Sequence, residues 1–112
     1  MFDFRHLSMR EAAHMSLTKL PTTRVSARDL GRLKTLARRN GTSVPATLRH
    51  VIAAFVATDA LLPPAGGAPK SGKLPELAMP QPLLDALNRR AAALGLTRAD
   101  VVRRLIVVHA HR

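Results

Sequence analysis

The sequence predicts a mostly α-helical chain carrying a two-stranded antiparallel β-ribbon, built from two copies of one strand–helix–helix unit. Three observations lead there. The chain superposes on itself at an offset of 54: Lys19-Leu20-Pro21 recurs as Lys73-Leu74-Pro75, and Leu30, Leu33, Ala37, Gly41, Arg49 and Ile52 fall on Leu84, Leu87, Ala91, Gly95, Arg103 and Ile106. The windows 19–55 and 73–109 thus share nine identities, where this composition gives roughly three by chance. Each window also holds two apolar stripes at helical spacing, separated by a glycine. Finally, the 112 residues include no cysteine, so a half of about 40 residues has no disulfide with which to replace a core. The two halves must share one.

The elements follow in order. Residues 1–16 lie outside the repeat and read as an N-terminal arm of little or no order, although Ser8 with Glu11 offers a short capping box. Residues 18–26 read as a short extended segment, with 19–25 as its pairing stretch. Ser26 is an N-cap with Asp29 at the third helical position, and the helix over about 27–40 puts Leu30, Leu33, Leu36 and Ala37 on one stripe. Asn40-Gly41 closes it, because glycine tolerates the left-handed conformation of a helix end. Ser43 caps a second helix with Pro45 in its first turn, and Leu48, Val51, Ile52, Phe55 and Val56 give it a wide apolar face reaching to about Leu62. The first unit therefore spans 17–62. Residues 63–72, rich in Pro, Gly and Ala, read as a linker that extends to roughly 30 Å. The second unit, 73–112, repeats the plan: strand 73–79, helix 81–94 stopped by Gly95, then a Thr97/Asp100 capping box and a helix over 98–109.

A strand of six or seven residues leaves its backbone groups unpaired, and a two-stranded ribbon needs helices packed beneath it. Antiparallel pairing of 19–25 with 73–79 serves both strands and lets four helices share one core, so that 17–112 forms one domain. Pro21 and Pro75 fit at a solvent edge or a strand start.

The formal net charge is +11, with eight basic and two acidic residues in 17–62 and eight and three in 70–112. A polyanion is the expected partner of both units. Tyr and Trp are absent, which argues against modules that read single strands by stacking bases on rings. No apolar run reaches membrane-spanning length and the N-terminus lacks a signal-peptide pattern, so the expectation is a cytoplasmic protein with no membrane partner. The five histidines give no metal pattern beyond a terminal His109-Ala110-His111. There is no nucleophile–base–acid set and no phosphate-cradling glycine loop, so neither a cofactor nor an enzymatic activity is expected.

A short strand, then Val-Ser-Ala-Arg-Asp-Leu-Gly-Arg-Leu or Met-Pro-Gln-Pro-Leu-Leu-Asp-Ala-Leu, then Gly-Thr-Ser or Gly-Leu-Thr opening a second helix, resembles the ribbon-helix-helix (MetJ/Arc-type) DNA-binding family. The likeness covers about 19–60 and 73–110. Most members are homodimers with one ribbon strand per subunit. Two units in one chain resemble the tandem, single-chain form found among accessory proteins of conjugative plasmid and T-DNA transfer. The resemblance implies a bacterial, monomeric pseudo-dimer that binds double-stranded DNA with the ribbon in the major groove, with a relaxase or other transfer protein as a further partner. Whether copies line up side by side on DNA stays open.

Strand alternation puts Leu20, Thr22 and Arg24 on the face opposite Pro21, Thr23 and Val25, and the first set is expected to read bases. Arg24 suits guanine O6 and N7, and Thr22 a base edge or a thymine methyl. The second strand presents Leu74, Glu76 and Ala78 in the same places. Either the ribbon reads an asymmetric site, or its second strand serves folding and backbone grip alone. Lys19 and Lys73 are expected at phosphates. So are the starts of the second helices, Thr42, Ser43 and Val44 in one unit and Thr97 and Arg98 in the other, where free N–H groups and the positive dipole end suit an anion. Ordinary capping accounts equally well for Ser43 and Thr97. Two other roles remain beside accessory DNA transfer: transcriptional repression by the same fold, and a protein-interaction module without DNA.

Overall fold

The structure is a computed structural model and describes residues 17–20, 23–58, 62–67 and 69–110. The expected arm over 1–16 lies outside these, as do Pro21 and Thr22. The described chain is mostly helical, with two two-stranded antiparallel sheets. In sequence order its elements are β1 (Leu17–Leu20), β2 (Arg24–Val25), α1 (Ala27–Arg39), α2 (Val44–Val56), β3 (Gly72–Lys73), β4 (Leu77–Pro80), α3 (Gln81–Leu94) and α4 (Arg98–Ala110).

The strands pair between the units. Leu17 faces Pro80, Lys19 faces Ala78 and Leu20 faces Leu77; Arg24 faces Lys73 and Val25 faces Gly72. In every pair the two numbers add to 97, so β1–β4 and β2–β3 keep a single register. The Leu74 N–H donates to the Thr23 carbonyl at 3.0 Å and carries that register inward from β2–β3. Each strand differs from the uninterrupted segment expected at 19–25 or 73–79. β1 starts earlier, at Leu17, and in the second strand Pro75 and Glu76 stand outside the ladder between β3 and β4. A proline has no N–H to give a ladder, so the break falls where the sequence places one. Gly72, expected as the end of the linker, is instead buried in β3. A Cβ there would lie 3.1 Å from both Leu30 Cδ2 and the Val25 carbonyl oxygen, so α1 and the strands approach closely only because the side chain is missing.

Helix ends follow local rules. Ser26 Oγ accepts from the Asp29 N–H at 3.1 Å, Ser43 Oγ from the Ala46 N–H at 3.2 Å and Thr97 Oγ1 from the Asp100 N–H at 3.1 Å. α1 and α3 stop in the same way. Gly41 and Gly95 have φ of 66° and 70°, and the N–H groups of Thr42 and Leu96 each return 2.9 Å to the carbonyls of Ala37 and Ala91. α2 ends at Val56 rather than near Leu62, because the Thr58 N–H and hydroxyl both turn back to the Phe55 carbonyl and tighten the last turn.

Packing crosses between the units. α1 lies chiefly against α4, and α2 has α3 as its main helical partner. Burial repeats at the 54-residue offset. Leu33 and Leu87, Ala37 and Ala91, Leu48 and Val102, Val51 and Leu105, and Ile52 and Ile106 all join one core. The arginine identity has its own cause. Arg49 on α2 donates to the Ala78 carbonyl at 3.1 Å, and Arg103 on α4 donates to the Arg24 carbonyl at 2.8 Å. Arg24 and Ala78 are themselves 54 apart, so one contact is made twice, each time from the helix of one unit to the strand of the other.

Truncating the core should hurt both units alike. Ile52→Ala and Ile106→Ala, at positions 0 % and 1 % exposed, are each expected to lower the unfolding free energy by about 2–5 kcal/mol in denaturant titrations. Because the core is shared, each should shift a single transition rather than split it.

Candidate nucleic-acid interface

The exposed side of the paired strands is set by an alternation that slips once in each. In the second strand Lys73 is exposed, Leu74 buried, Pro75 and Glu76 exposed, Leu77 buried, Ala78 half-buried and Met79 buried. Inward residues recur after three positions at the break rather than two. The first strand has the same outcome, with Lys19 exposed, Leu20 buried, Thr23 buried, Arg24 exposed and Val25 buried. Leu20 and Leu74 therefore do not face outward with Arg24 and Ala78. They are 6 % and 4 % exposed and belong to the core. Strict period-two counting put them on the wrong face because it carried the alternation straight through the prolines.

Arg24, Lys73, Lys19, Glu76 and Ala78 remain on the outer side, and their charges are arranged unevenly. Lys19 Nζ lies 2.8 Å from Glu76 Oε1, with both side chains largely exposed, and this bond and its charge hold the Lys19 ammonium above the usual lysine value. Arg24 and Lys73 face each other directly across the ladder, and among the described residues neither makes an ion pair. Like charges opposite one another on a sheet are destabilising. An anion laid across them would relieve that repulsion.

A cleft of about 660 Å³ opens beside this face, lined by Lys19, Lys73, Glu76, Leu20, Leu74 and, from α1, Lys34. Lys34 carries no signal in the strand pattern. Only the packing of α1 beneath the strands brings a third ammonium to the same cleft. Its counterpart in the second unit is Asn88, so this concentration of charge belongs to one side.

The starts of α2 and α4 present their first-turn N–H groups differently. Thr42 and Ser43 are exposed and Val44 is half-buried against the core. Thr97 is exposed, and the half-buried Arg98 turns to Asn88 Oδ1 at 3.4 Å. Thr97, Asp100 and Arg103 form a chain that ends on the strand. Thr97 hydrogen-bonds Asp100, Arg103 Nη1 lies 2.9 Å from Asp100 Oδ1, and Arg103 Nε reaches the Arg24 carbonyl. The Thr97 hydroxyl, and to a lesser extent Arg103, hold the Asp100 carboxyl below the usual aspartate range. At this point the capping reading is the one the geometry supports. In the first unit Ala46 stands where Asp100 does, and Ser43 carries no such chain.

Among the described residues no group of three or more His, Cys, Asp or Glu side chains is placed to hold a metal ion. None of the helices there is long and apolar enough to cross a membrane. The chain matches no protein-family model, no curated protein and no solved structure.

A carboxyl whose folded pKa is depressed contributes stability above its unfolded value and loses it as pH falls through the lowered folded value. NMR titration should accordingly place the Asp100 midpoint below that of an unstructured aspartate. Thr97→Ala should move it back up and cost about 1 kcal/mol through the lost cap. An unmoved midpoint would show that the hydroxyl does not hold the charge.

Proposed function

We propose that this chain is a tandem, single-chain ribbon-helix-helix protein that binds double-stranded DNA by laying its paired strands in the major groove. The observation that carries the reading is the Arg24–Lys73 pair. Two cations directly opposite on the exposed side of a two-stranded element, beside a lysine-lined cleft, form a surface complementary to a polyanion. The major groove admits a two-stranded β-ribbon. Arg24 then reads a base edge, preferring guanine, while Lys73, Lys19 and Lys34 grip backbone phosphates. Thr22 is the further base-reading candidate from the sequence. Ala78 faces Lys19 across the ladder and Glu76 pairs with it, so the two strands offer different side chains and the face as a whole suits a non-palindromic site. Thr42 and Ser43 add a phosphate contact on the first unit's side through the start of α2.

The cellular role that fits is an accessory factor in conjugative or T-DNA-type transfer. It is supported by the resemblance of two units in one chain to the tandem members of that family, and a relaxase or another transfer protein is the corresponding protein partner.

Duplex binding followed over salt concentration tests this directly. Affinity is expected to fall steeply with salt. Arg24→Ala should cost about 1–3 kcal/mol on the preferred sequence and little on random duplex, while Lys73→Ala should weaken both and reduce the salt slope by about 1. Glu76→Gln removes the acid that ties up Lys19 and should strengthen binding to every sequence. Salt-insensitive or absent duplex binding would sink the proposal.

A further inference from the structure

The second large cleft, about 830 Å³, lies on the first unit's side, between the C-terminal half of α1, the α1–α2 turn, the start of α2 and the end of α4. Four basic side chains line it: Arg32 and Arg39 from α1, His50 from α2 and His109 from α4, with Asn40 and Thr42 between them. Among the described residues no carboxylate does. Arg39 and His50 are exposed and Arg32 half-buried, and among the described residues neither arginine makes an ion pair. The volume lies within the range of small-molecule pockets.

Comparison with the other unit shows that the fold does not require this opening. At the 54-residue offset His109 corresponds to Phe55, Leu36 to Arg90 and His50 to Arg104. There the space is filled. Phe55 is 4 % exposed, the Arg90 guanidinium lies 5.1 Å from its ring centre, and Arg104 holds the carbonyl of Leu62 at 3.4 Å while Leu62 packs on the core. Where the first unit has Arg32 and Arg39, the second has Ala86 and Ala93. One half closes this position with an aromatic ring and chain from beyond α2. The other leaves it open and lines it with two arginines and two histidines.

We infer that this cleft is a phosphate-binding site, separate from the strand face, with Arg32 and Arg39 as its principal ligands. Guanidinium groups pair with phosphate oxygens through parallel N–H donors, and His50, Asn40 and Thr42 supply further donors around the same space. The phosphate belongs either to a free ester of nucleotide size or to the backbone of a duplex already held by the strands. Only the second source rests on the DNA reading above.

Calorimetric titration of the full chain with pyrophosphate and with ADP, beside duplex binding over a salt series, separates the sources. The informative variants are Arg32→Ala/Arg39→Ala and a control of equal charge, Arg28→Ala/Arg38→Ala, on exposed positions of the same helix outside the cleft. For a free ester, pyrophosphate or ADP binding should fall at least tenfold in the cleft variant and less than twofold in the control, with duplex affinity equal in the two variants. If the phosphate is the backbone's, neither small anion binds, and the cleft variant loses about two in salt slope beyond the control. Equal losses in the two variants, or no loss in either, would overturn the inference. Arg24→Ala should leave the small-anion arm unchanged, and a protein that binds ADP through the cleft but no duplex would keep this site while refuting the DNA reading. Unchanged melting temperatures in the variants check that the fold is intact, and Arg39→Ala alone, at an exposed position, serves if the double variant unfolds.

Discussion

Everything in this molecule depends on strands that have no partner within their own unit. β1 and β2 find theirs in β4 and β3, from the other copy, and a buried strand left unpaired would strand donors and acceptors at a cost comparable to lost hydrogen bonds. Pairing between copies therefore comes with the fold. Once the strands meet, α1 comes to lie against α4 and α2 against α3, and each unit completes the core of the other. Arg49 and Arg103 tie the arrangement from outside. Each reaches from the second helix of its own unit to a strand carbonyl of the opposite one, so the tie exists only while the two units are together.

That constraint explains which positions stayed alike. Leu33, Ala37 and Ile52 keep their identities in the second unit because they fill the shared core, and Gly41 keeps its own because a helix there turns with φ near 66°. Ala37 also offers the carbonyl that receives the returning Thr42 N–H. Arg49 looks in the sequence like any surface cation on a basic chain, yet its recurrence as Arg103 was the one available sign that it does something the other arginines do not. Lys19 and Lys73, by contrast, recur on the exposed side, where packing does not demand them.

Much of the element order was legible, since capping serines, helix-ending glycines and apolar stripes are local signals that tertiary contacts did not override. The second-helix length was not. The apolar residues up to Leu62 extend the stripe past the polar Thr58-Asp59, but a threonine hydroxyl competing for the Phe55 carbonyl ended the helix at Val56. The strand faces were half legible. Arg24 and Val25 fell on the expected sides, whereas Leu20 and Leu74 did not, because the alternation slips beside Pro21 and Pro75 and period-two reasoning has no means of seeing the slip. Lys34 was invisible for a different reason. Its place at the strand-side cleft comes from how α1 is packed, and helical periodicity alone marks it only as solvent-facing.

A single chain also escapes a restriction that binds a symmetric dimer, where any substitution appears on both sides of the axis. Here Arg24 is matched by Ala78, Lys34 by Asn88, and the Arg32 and Arg39 pair by two alanines. Glu76 answers Thr22 and neutralises Lys19, which leaves Lys73 unopposed. The core positions that kept their identity, Leu33 with Leu87 and Ile52 with Ile106 among them, face the same packed interior from both units. Elsewhere the units differ in both directions: the first has Arg24, Arg32, Lys34 and Arg39 where the second has Ala78, Ala86, Asn88 and Ala93, and the second has Arg89, Arg90 and Arg98 where the first has Thr35, Leu36 and Val44, together with a carboxylate-anchored helix start. The doubled unit supplies the stability and the asymmetry of its surface supplies the chemistry, with the second possible only because the first is already secured by residues that did not change.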